Sequence, residues 1–227
     1  GMAFTTVDDY VWWGIVAKYL HLFDHLPTAD TTIISRHLGY TPGTSLVHYW
    51  FFRLMGEYQP SISYFAQNII LISALFVVVK KENIRQGLFL LAISAVFFGL
   101  FCGSIFTKLQ VDYLLSVFFF ASLWIYFDGA ADAKKTAILF VPLVYLSIIK
   151  EIGFALALLV LIIIAADVIF KNRSPLKSKL YMLSIAALTA VALVFVKMLW
   201  QAHCHAEGFP DFSNAINPET IKASFDI

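Results

Sequence analysis

Four short stretches of this chain carry side chains that could do chemistry. The first is Asp8-Asp9 in "TVDDYVWWG", a carboxylate pair set just before Trp12 and Trp13. The second is Arg36-His37 in "RHLGYTPG" at 36–43, and the third is Asp112 in "VDYLLSVFFFASLWIYF". The fourth is Lys150-Glu151 in "KEIG" at 150–153. Carboxylates can take a proton from an attacking hydroxyl or amine, or hold a divalent cation through oxygen. Lysine and arginine can hold a phosphate. Each stretch also has a plainer use. Asp8-Asp9 and Asp112 suit helix N-termini, where a carboxylate meets free N–H groups and the helix dipole. Arg36 and His37 suit a solvated loop, and Lys150-Glu151 an interfacial turn.

Other chemistries have little support. The "HCH" at 203–205 resembles a metal cluster, but adjacent residues rarely ligate one ion without further ligands. Cys102 and Cys204 are too few for a disulfide framework, although one bridge between them is geometrically open. The chain has no Gly-rich phosphate loop, no CxxC pair and no nucleophile elbow, so a soluble nucleotide-sugar or ATP site is not expected. Internal repeats and low-complexity tracts are also lacking.

The elements that must position these groups are apolar. Of 227 residues, 60% are hydrophobic and only 14% charged, where a water-soluble domain carries about 25% charged residues. The net charge of +1 gives no basis for a nucleic-acid or acidic partner. Leu88–Phe106 and Ile152–Ala166 contain no charged residue. Runs of about 18 such residues read as membrane-spanning helices. The expected fold is an all-α, polytopic membrane helical bundle with spans near 61–79, 88–106, 111–127, 137–149, 152–170 and 180–200. The first residues are polar and acidic, unlike a cleavable signal peptide.

Charge sets the orientation. "KKENIRQG", "DGAADAKKT" and "KNRSPLKSK" hold nine of the sixteen Lys and Arg residues, and the positive-inside rule places them in the cytoplasm. The other side receives all six histidines and eleven of the fifteen acidic residues. Three regions follow: 1–60 as a first outer loop with two juxtamembrane helices, 61–200 as a six-helix transmembrane region, and 201–227 as the start of a later outer loop. The fourth span has only thirteen apolar residues between Thr136 and Lys150, about 20 Å of helix. That sets Lys150 and Glu151 below the outer surface, where charges must pair or face water.

Within the first outer loop, Tyr10–Leu26 reads as an interfacial amphipathic helix. Trp12, Ile15, Val16, Tyr19, Leu20 and Phe23 form its apolar stripe, and Lys18, His21 and His25 its polar one. "LPTAD" breaks it, and a second helix, too short to span, runs from Thr44 to Gly56.

The order of these features resembles the GT-C-type membrane glycosyltransferases, in particular the family-39-like bacterial proteins. Relatives there include protein O-mannosyltransferases and lipid A aminoarabinose transferases. The family's first outer loop carries an Asp-Glu pair, here "DDYVWWGIVAKYL" with Asp9 in the Glu position. A "YPPG"-like motif follows, here "YTPGTSLVHYWFF", with Thr41 in place of the first proline. A later span opens with Asp, here Asp112, and a K-E-G-like junction follows, here "IIKEIGFAL". The resemblance covers residues 7 to about 170 and implies a longer enzyme, with a spanning helix before the acidic pair and further helices after the last.

It also implies an inverting transfer of a sugar from a polyprenyl-phosphate donor to a glycan, lipid or protein acceptor. The setting is the bacterial inner membrane, with the site facing the periplasm. Asp8 matches the catalytic base. Asp9 and Asp112 would position the acceptor or hold a divalent cation such as Mg or Mn. Lys150, then Arg36, would hold the donor phosphate. Tyr40, Glu151 and His37 would contact substrate, with Trp12 anchored at headgroup depth. A transporter and a non-catalytic scaffold are the competing readings. Transporters place polar groups near the midplane, whereas here the span interiors are nearly free of charge.

Overall fold

The computed structural model describes residues 13–31, 39–79, 83–101, 108–129 and 131–209. Every regular element among them is helical. In chain order these are α1 (Gly14–Phe23), α2 (Gly43–Met55), α3 (Pro60–Leu75) with a 3₁₀ turn at Phe76–Val78, and α4 (Ile84–Phe101). Then come α5 (Val111–Phe127), α6 (Ala133–Ile138), α7 (Phe140–Ile149), α8 (Glu151–Phe170) and α9 (Leu176–Ala206). Among the described residues, three stretches are long and apolar enough to cross a membrane: Pro60–Val78, Glu151–Phe170 and Leu176–Ala206. At 1.5 Å per residue, the 20 residues of α8 span about 30 Å, the thickness of a bilayer core. The surface agrees, since Phe89, Leu100, Phe170, Leu188 and Val191 are all more than 60% exposed. Side chains of this kind belong against lipid.

The core forms where α5, α7, α8 and α9 meet, with α3 against α5. Buried positions recur at helical spacing: Met182, Ala186, Thr189 and Leu193 on α9, and Gly153, Ala157, Val160, Ile164 and Val168 on α8. Two helices sit on the bundle's end. α1 packs on α2, and α2 packs on both α3 and α7. Asp24, in the left-handed region at φ 61°, ends α1 and accepts a hydrogen bond from the Tyr49 hydroxyl of α2.

Helix positions follow the apolar runs, and the differences have local causes. The fourth apolar segment starts earlier than its apolar run, at Ala133. Asp132 caps that start by accepting the Lys135 N–H at 2.8 Å. Pro142 brings no N–H for the Ile138 carbonyl, and the segment divides into α6 and α7 near this point. α9 runs on to Ala206, because nothing between Leu176 and Ala206 is Gly or Pro; the break comes at Gly208, with φ 65°. The residues 203–205 are therefore helical instead of opening a loop. In α1 the buried face is Trp13, Ala17, Tyr19 and Leu20, while Phe23 is half exposed. The expected stripe is thus rotated toward the small, fully buried Ala17.

Candidate functional site

The Lys150-Glu151 junction organises one end of the bundle. Lys150 is a single extended residue, φ −160° and ψ 160°, between the C-terminus of α7 and the N-terminus of α8. Its charge suits the end of one helix, and that of Glu151 suits the start of the next. The two side chains reach opposite partners. Lys150 Nζ donates to Asp112 Oδ1, in the first turn of α5, at 2.9 Å. Lys197 Nζ, from α9, donates to Glu151 Oε2. These two pairs tie α5, the α7–α8 junction and α9 together.

The pairs differ in strength. Asp112 is 70% exposed and Lys150 30%, so their contact is of the solvent-screened kind, about 0–1 kcal/mol, and is readily exchanged. Lys197 and Glu151 are 16% and 29% exposed, and removing one partner strands the other charge where water is scarce. Lys197→Met is expected to lower unfolding free energy by about 1–2 kcal/mol. Glu151→Gln/Lys197→Met should recover more than half of that loss in detergent-based denaturation. Losses that merely add in the double variant would show the pair to be uncoupled.

An aromatic path continues from Lys197. One turn further along α9, the Trp200 Nε1–H donates to the Gly39 carbonyl at 3.0 Å. The next residue, Tyr40, stacks on Trp13 at 5.7 Å and 8°. The Ser45 hydroxyl donates to the Trp13 carbonyl at 3.1 Å. Of the residues singled out from sequence, Asp112 and Lys150 meet directly, Glu151 turns to Lys197, and one face of Tyr40 is taken by Trp13. Asp8, Asp9, Trp12, Arg36, His37 and Cys102 lie outside the described residues. Cys204 is buried on α9.

Among the described residues, no three His, Cys, Asp or Glu side chains come together to hold a metal ion. Asp112, the described member of the Asp9 and Asp112 pair, bonds to the Lys150 ammonium at 2.9 Å.

A second polar feature, missed from sequence, lies under α2. His48 is fully buried, neither ring nitrogen has a partner, and burial pushes its imidazole down to about 3. Thr41, Thr44, Ser63 and Gln67 are also buried, each with an unpartnered side-chain oxygen. Such atoms cost about 1–3 kcal/mol each when dry. The available signal was the i, i+4 pairing of Thr44 with His48 and of Ser63 with Gln67 in helices otherwise rich in apolar residues. A groove of about 480 Å³ runs between α2, α3, α5 and α7, lined by Val47, Ile70, Phe118, Pro142 and Tyr145 among others. No family model, curated protein or solved structure matches the chain.

Proposed function

We propose that this chain is the membrane part of a GT-C-like inverting glycosyltransferase. It would move a sugar from a polyprenyl-phosphate donor to an acceptor at the periplasmic face of a bacterial inner membrane. The observation that carries this reading is Lys150, a cation fixed at a helix junction at the end of an apolar bundle and held, among the described residues, by one exposed carboxylate. A lipid phosphate arriving at that end can take the Lys150 hydrogen bond from Asp112 at little cost, because the Asp112 carboxylate regains water. In the transfer, the acceptor oxygen forms a bond to the anomeric carbon while the bond from that carbon to the phosphate oxygen breaks. The electron pair leaves with the phosphate, where the Lys150 charge stabilises it. The acceptor proton goes to a carboxylate, assigned to Asp8. Asp8 stands five residues before Trp13, a contour length of at most about 18 Å.

The test is transfer from polyprenyl-phosphate sugars in membranes carrying Lys150→Met. Loss of a charged hydrogen bond to phosphate should raise the donor KM about 10- to 100-fold. Unchanged donor dependence would remove Lys150 from the site and the reading with it.

A further inference from the structure

We propose that the crevice between α4 and α5 binds one anionic phospholipid, its phosphoglycerol headgroup in a polar pocket at Trp124 and an acyl chain in the apolar groove beyond. The pocket lies toward the end of α5 opposite the Asp112–Lys150 pair. Among the described residues, α4 packs chiefly on the 3₁₀ turn at Phe76–Val78, which leaves a gap beside α5. Gly87 makes that crossing tight, since a methyl group there would lie 2.6 Å from Val79 Cα.

Two cavities follow one another along the gap. The first, about 170 Å³, is lined by Asn83, Gln86, Leu90 and Trp124 among others. The second, about 330 Å³, is lined by Ile93, Phe97, Val117 and Phe120 among others. On α4 the lining steps from Gln86 and Leu90 to Ile93 and Phe97, a spacing that keeps to one helix face. On α5 it steps back from Trp124 to Phe120 and Val117, in the antiparallel sense. The Phe120 and Trp124 rings are 5.7 Å apart, so the two cavities adjoin. The Ser116 hydroxyl, beside the second, donates to the Asp112 carbonyl at 2.9 Å, which leaves the α5 side of the groove apolar. A polar pocket running into an apolar groove fits an amphiphile. From Gln86 to Phe97 α4 rises about 16 Å, close to half the hydrocarbon thickness of a bilayer, the reach of one acyl chain.

Chemistry selects the headgroup. The Trp124 Nε1–H is buried without a partner and can only donate, while the Asn83 and Gln86 amides both donate and accept. Hydroxyls and phosphate oxygens answer these groups. No carboxylate among the described residues lines the pocket, so a choline or ethanolamine cation finds no counter-charge. A cavity of about 150 Å³ takes a six-carbon ring, and a glycerol headgroup is of that size. Charge adds to the preference. Arg85, Lys134, Lys171, Arg173, Lys177 and Lys179 stand at this end of the bundle, against Asp128, Asp132 and Asp167, and cations near a membrane surface draw anionic lipid.

The test is native mass spectrometry of the detergent-solubilised chain with dioleoyl phosphatidylglycerol or dioleoyl phosphatidylcholine, which share their acyl chains. Wild type should retain one phosphatidylglycerol about 5-fold more than phosphatidylcholine. Trp124→Phe keeps an aromatic ring and loses the N–H, and should bring that preference below about 2-fold. Gln86→Leu, at an exposed position, should act the same way and carries the test if Trp124→Phe fails to fold. Lys150→Met should leave the preference intact. Equal retention of the two lipids by wild type would overturn the proposal. An undiminished preference in Trp124→Phe would overturn it too, by assigning the effect to the basic end alone. Loss of preference in Lys150→Met would move the headgroup to the opposite end. Displacement by equimolar glycerol 3-phosphate would make the ligand a soluble phosphoglycerol compound instead of a lipid.

Discussion

Asp8→Asn is expected to reduce sugar transfer by about 10²–10⁴-fold, the usual contribution of a positioned general base. The substitution keeps the size of the side chain and its ability to accept a hydrogen bond, and it removes only the capacity to take a proton. A base also leaves a signature that a structural role does not. The acid limb of the pH–rate profile reports its protonation, and that limb should vanish in the variant while donor KM stays within a few-fold of wild type. Asp112→Asn should behave differently. Asp112 bonds directly to Lys150, so its loss alters how the cation is held, and the change should appear first in donor KM. A wild-type rate and pH profile for Asp8→Asn would exclude it as the base. It would also leave Asp112, bonded to Lys150, and Glu151, bonded to Lys197, as the carboxylates at the junction among the described residues.

The bundle was legible because its helices are written in apolar runs bounded by charge, Gly or Pro. Val111–Phe127 starts and stops where the sequence reading placed it, since Gln110 and Asp128 flank an unbroken apolar stretch with one acidic residue in its first turn. The Asp112–Lys150 contact was legible only as a shared side of the membrane. What the sequence hid is pairing. Lys197 lies 46 residues from Glu151, in a helix whose own pattern says only that a charge sits near one end. Nothing local states which neighbour that charge meets. The polar face of α2 was hidden for a related reason. "TSLVHYWFF" reads as an aromatic-rich interfacial helix, and its aromatics do include the exposed Trp50. Only the packing of α2 on α3 and α7 shows that the turned-in side holds Thr44, Ser45 and His48.

Gly153→Ala is expected to destabilise the chain by at least about 3 kcal/mol, at the upper end of overpacking costs. A methyl group there would lie 2.0 Å from the Leu146 carbonyl oxygen and 2.9 Å from Leu115 Cδ2. The first of these is backbone of the neighbouring helix and cannot rotate away. With Ala157 one turn on, Gly153 makes the small-xxx-small face that lets two apolar helices approach closely. On the other side of α7, a methyl on Gly43 would lie 2.4 Å from the Ile148 carbonyl oxygen, so α2 presses on the same end. The last turn of α7 is therefore clamped from both sides, and Lys150 follows directly from it. Thermal unfolding in detergent should separate Gly153→Ala sharply from Ala155→Leu, which adds more atoms on the exposed face of α8 and should stay within about 0.5 kcal/mol of wild type. A Gly153→Ala protein as stable as wild type would mean that α7 and α8 do not meet this closely. The position of Lys150 between Asp112 and the start of α8, on which the phosphate assignment stands, would then lose its support.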